Sequence, residues 1–182
     1  KNGVWGFSEI HTSNINFLYL PIEEWLFFII IPFSCLFIYE SVKYFHDVKK
    51  YNKPVRRFYL FLGAILILVG SINYDKSYTF WNFTFCGIFL IYSGYKVRDY
   101  HAEFLVAYLY SLIPFFIVNG ILTDGNFDYN HLTEPVVWYN NYENLFIRII
   151  TIPFEDLFYS MLLLIMNVTF YEKFMSKSIK NI

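Results

Sequence analysis

Five apolar runs, roughly residues 20–39, 58–74, 79–95, 102–122 and 149–171, leave this chain few ways to fold. About twenty mostly apolar residues in a helix cross the hydrocarbon of a bilayer. The chain is 57% hydrophobic and only 16% charged, whereas a soluble domain carries about a quarter charged residues. In lipid, every backbone N–H and C=O must be paired within the protein, which makes the helix the natural spanning unit. The expectation is therefore all-α: a polytopic transmembrane helical bundle with about five spanning helices. The second run, "FYLFLGAILILVGSI", is the most uniformly apolar, and the third, "YTFWNFTFCGIFLIYSG", is polar enough to need protein neighbours. Pro21 and Pro153 are placed where a first helical turn tolerates a missing N–H. Pro32 and Pro114 fall mid-span, where they are expected to kink their helices.

Basic residues set the direction. Lys43, Lys49, Lys50, Lys53, Arg56 and Arg57 follow the first run, Lys96 and Arg98 precede the fourth, and Lys173, Lys177 and Lys180 follow the fifth. Lys1, Lys76 and Arg148 lie on the other side. Loops rich in Lys and Arg stay cytoplasmic, so the eleven-to-three bias puts the C-terminus inside and residue 1 outside. The loop 123–148 is then external, and acidic through Asp124, Asp128, Glu134 and Glu143.

Several chemistries find little support. A net charge of −1 gives no basic surface for nucleic acid. Gly-x-Gly is absent, so nothing points to a dinucleotide fold. Cys35 and Cys86 both lie inside apolar runs and suggest neither a disulfide nor a metal site. Asp99, His101 and Glu103 form a faint metal-like cluster that a solvated helix start explains as well. The segment from Asp124 to Asp128 resembles one acidic motif of membrane prenyltransferases, without its partner motif.

The most informative feature is a repeat. Shifting the chain by 132 residues lays Pro21 on Pro153, Glu23 on Glu155, Glu24 on Asp156, Tyr39 on Tyr171 and Glu40 on Glu172. Upstream, "VWGF" (Val4 to Phe7) matches "VWYN" (Val137 to Asn140) after a one-residue slip. The repeat divides the chain into a first half, 1–57, and a second half, 58–182. The two carboxylate-headed helices run in the same direction, so the repeat is parallel and its site is expected between the copies. The second copy has three spans ahead of its carboxylate helix and the first has none, so the first half is expected to be incomplete at its N-terminus.

Carboxylates heading apolar helices can simply complement the helix dipole and cap its first turn. Two matched pairs at the edge of the hydrocarbon favour a functional interior instead, since intramembrane ionisable groups are costly. Desolvation and mutual repulsion keep one acid of such a pair protonated while its neighbour remains a base, poised for acid–base chemistry on an apolar substrate. Asp156, Ser160, Leu163 and Asn167 form one helical stripe; Glu24, Phe28, Ile31 and Cys35 form its counterpart. Trp25, Phe27, Phe28, Phe158 and Tyr159 lie within a turn of the acids, where π faces can stabilise a cation.

The quoted segments, "VWGF", "LPIEEWLFF" and "VVWYNNYENLFIRIITIPFEDLFYSMLLLIMNVTFYE", resemble the flavin-independent lycopene cyclases over roughly residues 4 to 172. These are membrane-integral carotenoid cyclases found as two small subunits or one fused chain. The resemblance implies ring closure at the acyclic ends of lycopene, or a related cyclisation or hydration, in an integral protein of the bacterial cell membrane. A carotenoid-binding membrane partner without catalysis is the alternative from another class. The motif carries over as Pro21, Glu23, Glu24, Pro153, Glu155 and Asp156, with Phe27, Phe28, Tyr159 and Asn167 as positioning candidates. The family has helices ahead of "VWGF", including a Trp-Asp pair, that this sequence lacks. The implied reaction is redox-neutral and demands no cofactor. Implied partners are the carotenoid, the bilayer, and further copies or other carotenoid enzymes.

Overall fold

The computed structural model describes residues 3–13, 15–18, 20–96, 99–123 and 135–180. Five helices carry it: α1 (Ile22–Phe45), α2 (Asn52–Ile72), α3 (Ser77–Tyr95), α4 (His101–Thr123) and α5 (Glu155–Lys180). Each coincides with one of the five apolar runs. Three segments among the described residues are individually long and apolar enough to cross a membrane: α1, α4 and Lys49–Ile72, which contains α2. The protein is thus all-α and membrane-associated.

α3 and α5 are more polar, and polar groups pair between them. Thr79 Oγ1 donates to Glu155 Oε1 at 2.6 Å, and Asn82 Nδ2 donates to the Glu155 carbonyl at 2.7 Å. The other side of α3 packs on α2 at unusually close range. A Cβ added to Gly63 would lie 2.7 Å from the Gly87 carbonyl oxygen, and one added to Gly87 would lie 2.6 Å from that of Gly63. Small residues let backbones approach this closely, the usual device for joining helices in lipid. Pro32 and Pro114 sit inside α1 and α4, and neither interrupts its helix.

Six short strands form three two-stranded ribbons at the end where α1 and α5 begin: β1 (Trp5–Phe7), β2 (Asn16–Phe17), β3 (Leu20–Pro21), β4 (Val137–Tyr139), β5 (Arg148–Ile149) and β6 (Ile152–Pro153). β1 pairs antiparallel with β4, Trp5 opposite Tyr139, Gly6 opposite Trp138 and Phe7 opposite Val137. The two copies of the Val-Trp motif therefore bind each other. Exchanging each residue for its counterpart reproduces the pairing, as a pseudo-twofold axis through the ribbon requires.

The same relation governs the hairpins. β2 pairs with β3 (Asn16 opposite Pro21), and β5 with β6 (Arg148 opposite Pro153). Leu18 and Ile150, 132 residues apart, turn these hairpins in the left-handed region at φ of 50° and 60°. Ile22 N donates to the Ile15 carbonyl and Phe154 N to the Ile147 carbonyl, both at 2.9 Å.

These hairpins correct one sequence boundary. Residues 149–154, expected to open the fifth helix, are extended or turned, and α5 begins at Glu155. Pro21 is the extended residue capping α1, at φ −58° and ψ 147°, and Pro153 ends β6; neither occupies a first helical turn.

α1 and α5 lie side by side in the same direction. At their far ends the closing Tyr-Glu pairs meet: Tyr39 Oη donates to Glu172 Oε1 at 2.6 Å, and Lys43 Nζ bridges Glu40 and Glu172 at 2.9 and 2.8 Å. α4 packs against both helices.

Candidate active site

Where α1, α4 and α5 diverge beneath the ribbons they leave a cavity of about 490 Å³. That lies within the ~300–1,000 Å³ range of small-molecule sites. Its walls are largely apolar, with Phe27 and Ile31 from α1, Phe115 and Val118 from α4, and Leu163 from α5. Trp5, Phe7 and Tyr139 from β1 and β4 close the ribbon end, and Glu23, Glu24 and Asp156 also line the cavity.

The members of each carboxylate pair are bonded differently. The first accepts a backbone N–H from the preceding loop in both copies. Glu23 Oε1 accepts from Ser13 N at 2.9 Å, and Glu155 Oε1 accepts from Leu145 N at 2.7 Å. Ser13 and Leu145 are again 132 residues apart. Glu155 also receives Thr79, is fully buried, and does not line the cavity. Glu23 is solvent-exposed at the cavity rim.

The second member faces inward in both copies. Asp156, only 3% exposed, accepts on both oxygens: from Tyr78 Oη on Oδ1, and from Tyr139 Oη on Oδ2 at 2.7 Å. Glu24 is half-buried and carries no side-chain hydrogen bond among the described residues. Burial pushes the Tyr139 phenol well above its usual range, the Asp156 charge beside it adds to this, and Glu24 contributes more weakly. Tyr139 therefore remains a proton-bearing donor at neutral pH. The Arg148 guanidinium lies 5.8 Å from its ring centre and is held by the Thr151 carbonyl and Asn141 Oδ1 at 2.6 and 2.7 Å.

The other candidates separate clearly. Phe27 and Tyr159 line the cavity, whereas Phe28 stands outside it, edge-on to Phe27 with centroids 6.3 Å apart. Asp156, Ser160 and Leu163 share the cavity wall as their stripe implies; Asn167, one turn deeper, donates to the Leu163 carbonyl at 2.7 Å and borders a narrow crevice beside Tyr39 and Tyr108. Phe158 packs between Phe83 and Phe154 at 5.1 and 5.3 Å, and Trp25 Nε1 donates to the Phe17 carbonyl at 2.9 Å. Pro21 and Pro153 are buried at the hairpin ends.

His101 and Glu103 prove to be buried, not part of a solvated helix start, with the His101 ring stacked on Tyr100 at 5.0 Å. No group of three metal-ligating side chains occurs among the described residues. The segment from Asp124 to Asp128 lies outside the described residues.

Fold and site together define a membrane protein with an apolar cavity lined by carboxylates from two copies of one motif. The lycopene cyclase family model matches residues 1–42 and 75–174, and the chain belongs to that family, the carotenoid cyclases. The matched residues include α3, α4 and most of both carboxylate helices, and exclude all of α2. Comparison with curated proteins and with solved structures gives no match.

Proposed function

We propose that this chain closes the acyclic ends of lycopene to β-rings by redox-neutral proton transfer, an intramolecular isomerisation. The observation that carries the reading is that Glu24 and Asp156, equivalent residues of the two repeats, line one apolar cavity. One acid protonates the terminal double bond of the carotenoid and leaves a tertiary cation. The electron pair of the neighbouring double bond then forms the ring carbon–carbon bond, which moves the positive charge to the next carbon. Loss of an adjacent proton returns the C–H electron pair as the ring double bond. One proton enters and another leaves, so substrate and product are isomers.

The cavity supplies what these steps require. Its largely apolar walls disfavour water that would trap the cation as an alcohol, and Phe27, Phe115 and Tyr159 line it, where aromatic rings can stabilise a developing cation. Lycopene reaches the site from the bilayer, and the basic loops orient the protein in a bacterial cell membrane with its C-terminus in the cytoplasm.

Membranes carrying the protein, supplied with unlabelled lycopene in heavy water, test the reading. Mass spectrometry should find β-rings carrying one deuterium at the carbon first protonated. A product heavier by one water per end would identify a hydratase, and unlabelled lycopene a binding protein.

A further inference from the structure

Two phenols reach one of the inward-facing carboxylates, and none reaches the other. Asp156 accepts from Tyr139 at 2.7 Å and from Tyr78, whereas Glu24 accepts no side-chain hydrogen bond among the described residues. The asymmetry is written into the repeat. The counterpart of Tyr139 in the Val-Trp motif is Gly6, which offers no hydroxyl. Tyr78 belongs to α3, which packs on α5.

A carboxylate has about four lone-pair sites on its two oxygens. The phenols occupy one on each oxygen of Asp156, which fixes the plane of the group and leaves the remaining pairs to receive a proton. Both bonds are strongest to an ionised carboxylate, so they favour Asp156 as the base before turnover. Glu24 has neither oxygen engaged, so it can carry a proton into the cavity without breaking a bond.

We propose that Tyr78 and Tyr139 are positioning residues that hold Asp156 as the proton acceptor of ring closure, with Glu24 as the proton donor. The assignment rests on the cyclase reading above. Glu24 gives its proton to the terminal double bond, the cation closes the ring, and Asp156 removes the proton whose C–H pair becomes the ring double bond. Each turnover leaves Glu24 ionised and Asp156 protonated. Exchange with solvent at the rim, where Glu23 is exposed, resets both.

The two roles predict different failures. A cation formed before a misplaced base loses a proton from the wrong carbon or is captured by water, so the product changes. Without the donor no cation forms, and the substrate returns unchanged. The test compares Tyr78→Phe, Tyr139→Phe, the double variant, Asp156→Asn and Glu24→Gln in isolated membranes supplied with unlabelled lycopene in heavy water, scoring the ratio of products among molecules that have taken up deuterium. The double Tyr variant and Asp156→Asn should still take up deuterium, but form ring double-bond isomers and tertiary alcohols, with β-ring yield about 10–100-fold lower. Glu24→Gln should leave lycopene without deuterium. The ratio is read per molecule converted, so poor accumulation of a variant does not imitate the effect, and each single Phe variant should give a smaller shift of the same kind. A double variant that makes only β-rings, in reduced amount, would show the phenols to be structural and overturn the proposal. So would deuterium uptake by Glu24→Gln with none by Asp156→Asn, which would reverse the roles. Parental protein that forms no ring in these membranes would instead defeat the cyclase reading beneath it.

Discussion

Replacing Glu155 separates a loop clamp from a catalytic acid. Glu155 Oε1 holds two donors, Thr79 Oγ1 at 2.6 Å and Leu145 N at 2.7 Å, and the residue is fully buried. Glu155→Ala leaves both donors without an acceptor, at about 1–3 kcal/mol each for buried groups. The total is about 2–6 kcal/mol, a large part of the stability of an ordinary domain. Glu155→Gln keeps a carbonyl oxygen for both donors and loses only the charge assistance, about 1 kcal/mol per bond. The order parent, Gln, Ala should therefore appear in thermal unfolding midpoints of the protein in mild detergent. Pigment formed per folded molecule should hold for the Gln variant. Thr79→Val, which breaks one of the bonds from the other side, should cost about 1 kcal/mol. A Gln variant that folds like the parent and makes no product would refute the clamp and place Glu155 in the chemistry. An Ala variant as stable as the parent would refute the hydrogen-bond argument.

Other regions give further tests. Gly63→Val or Gly87→Val forces α2 and α3 apart, since a Cβ there meets carbonyl oxygen at 2.7 or 2.6 Å; an overpacking loss of about 1–3 kcal/mol should follow in the same unfolding assay. Tyr39→Phe removes the donor to Glu172 but leaves the Lys43 bridge, so stability should fall by about 1 kcal/mol, and an unchanged midpoint would show the contact to be incidental. Cysteines introduced at 45 and 178 should resist a membrane-impermeant thiol reagent in intact cells, and one at 126 should react; labelling at 45 would reverse the orientation.

The helices were legible because their signal is local: apolar length, interrupted by polar loops. The repeat was legible because proline and carboxylate pairs survive at both ends of an otherwise diverged helix. The β1–β4 ribbon was not, since its strands lie more than 120 residues apart and neither has an alternating pattern long enough to mark it. Nor was the hairpin ahead of α5. "RIITIP" contains neither glycine nor asparagine, and Ile150 takes a left-handed turn that its side chain gives no reason to expect. The stripes through Asp156 and Glu24 marked the inward-facing members, but the sequence assigned all four carboxylates to the site, because it holds no sign of the backbone bonds that Glu23 and Glu155 accept. Tyr139 carried a signal, as the residue where the second Val-Trp motif departs from the first. Tyr78 carried none, being one of 17 tyrosines and outside both motif copies.

The separation of roles within each pair explains why the motif needs two adjacent acids. Successive residues on a helix project about 100° apart, so one carboxylate of a pair can turn toward the preceding loop while the other turns toward the bundle. The loop-facing acid is bonded alike in both copies, to Ser13 N and to Leu145 N, and it secures the irregular backbone from which the cavity's roof is built. That backbone lies outside any helix, and unpaired amides at the edge of the hydrocarbon are expensive. The inward-facing acid is free of this duty, and it is here that the copies differ, Glu24 without donors and Asp156 between two phenols. A duplicated scaffold that keeps one acid for architecture can thus diverge at the other. On the proposed cyclisation, a nearly symmetric frame would thus present unlike carboxylates to two proton transfers that run in opposite directions.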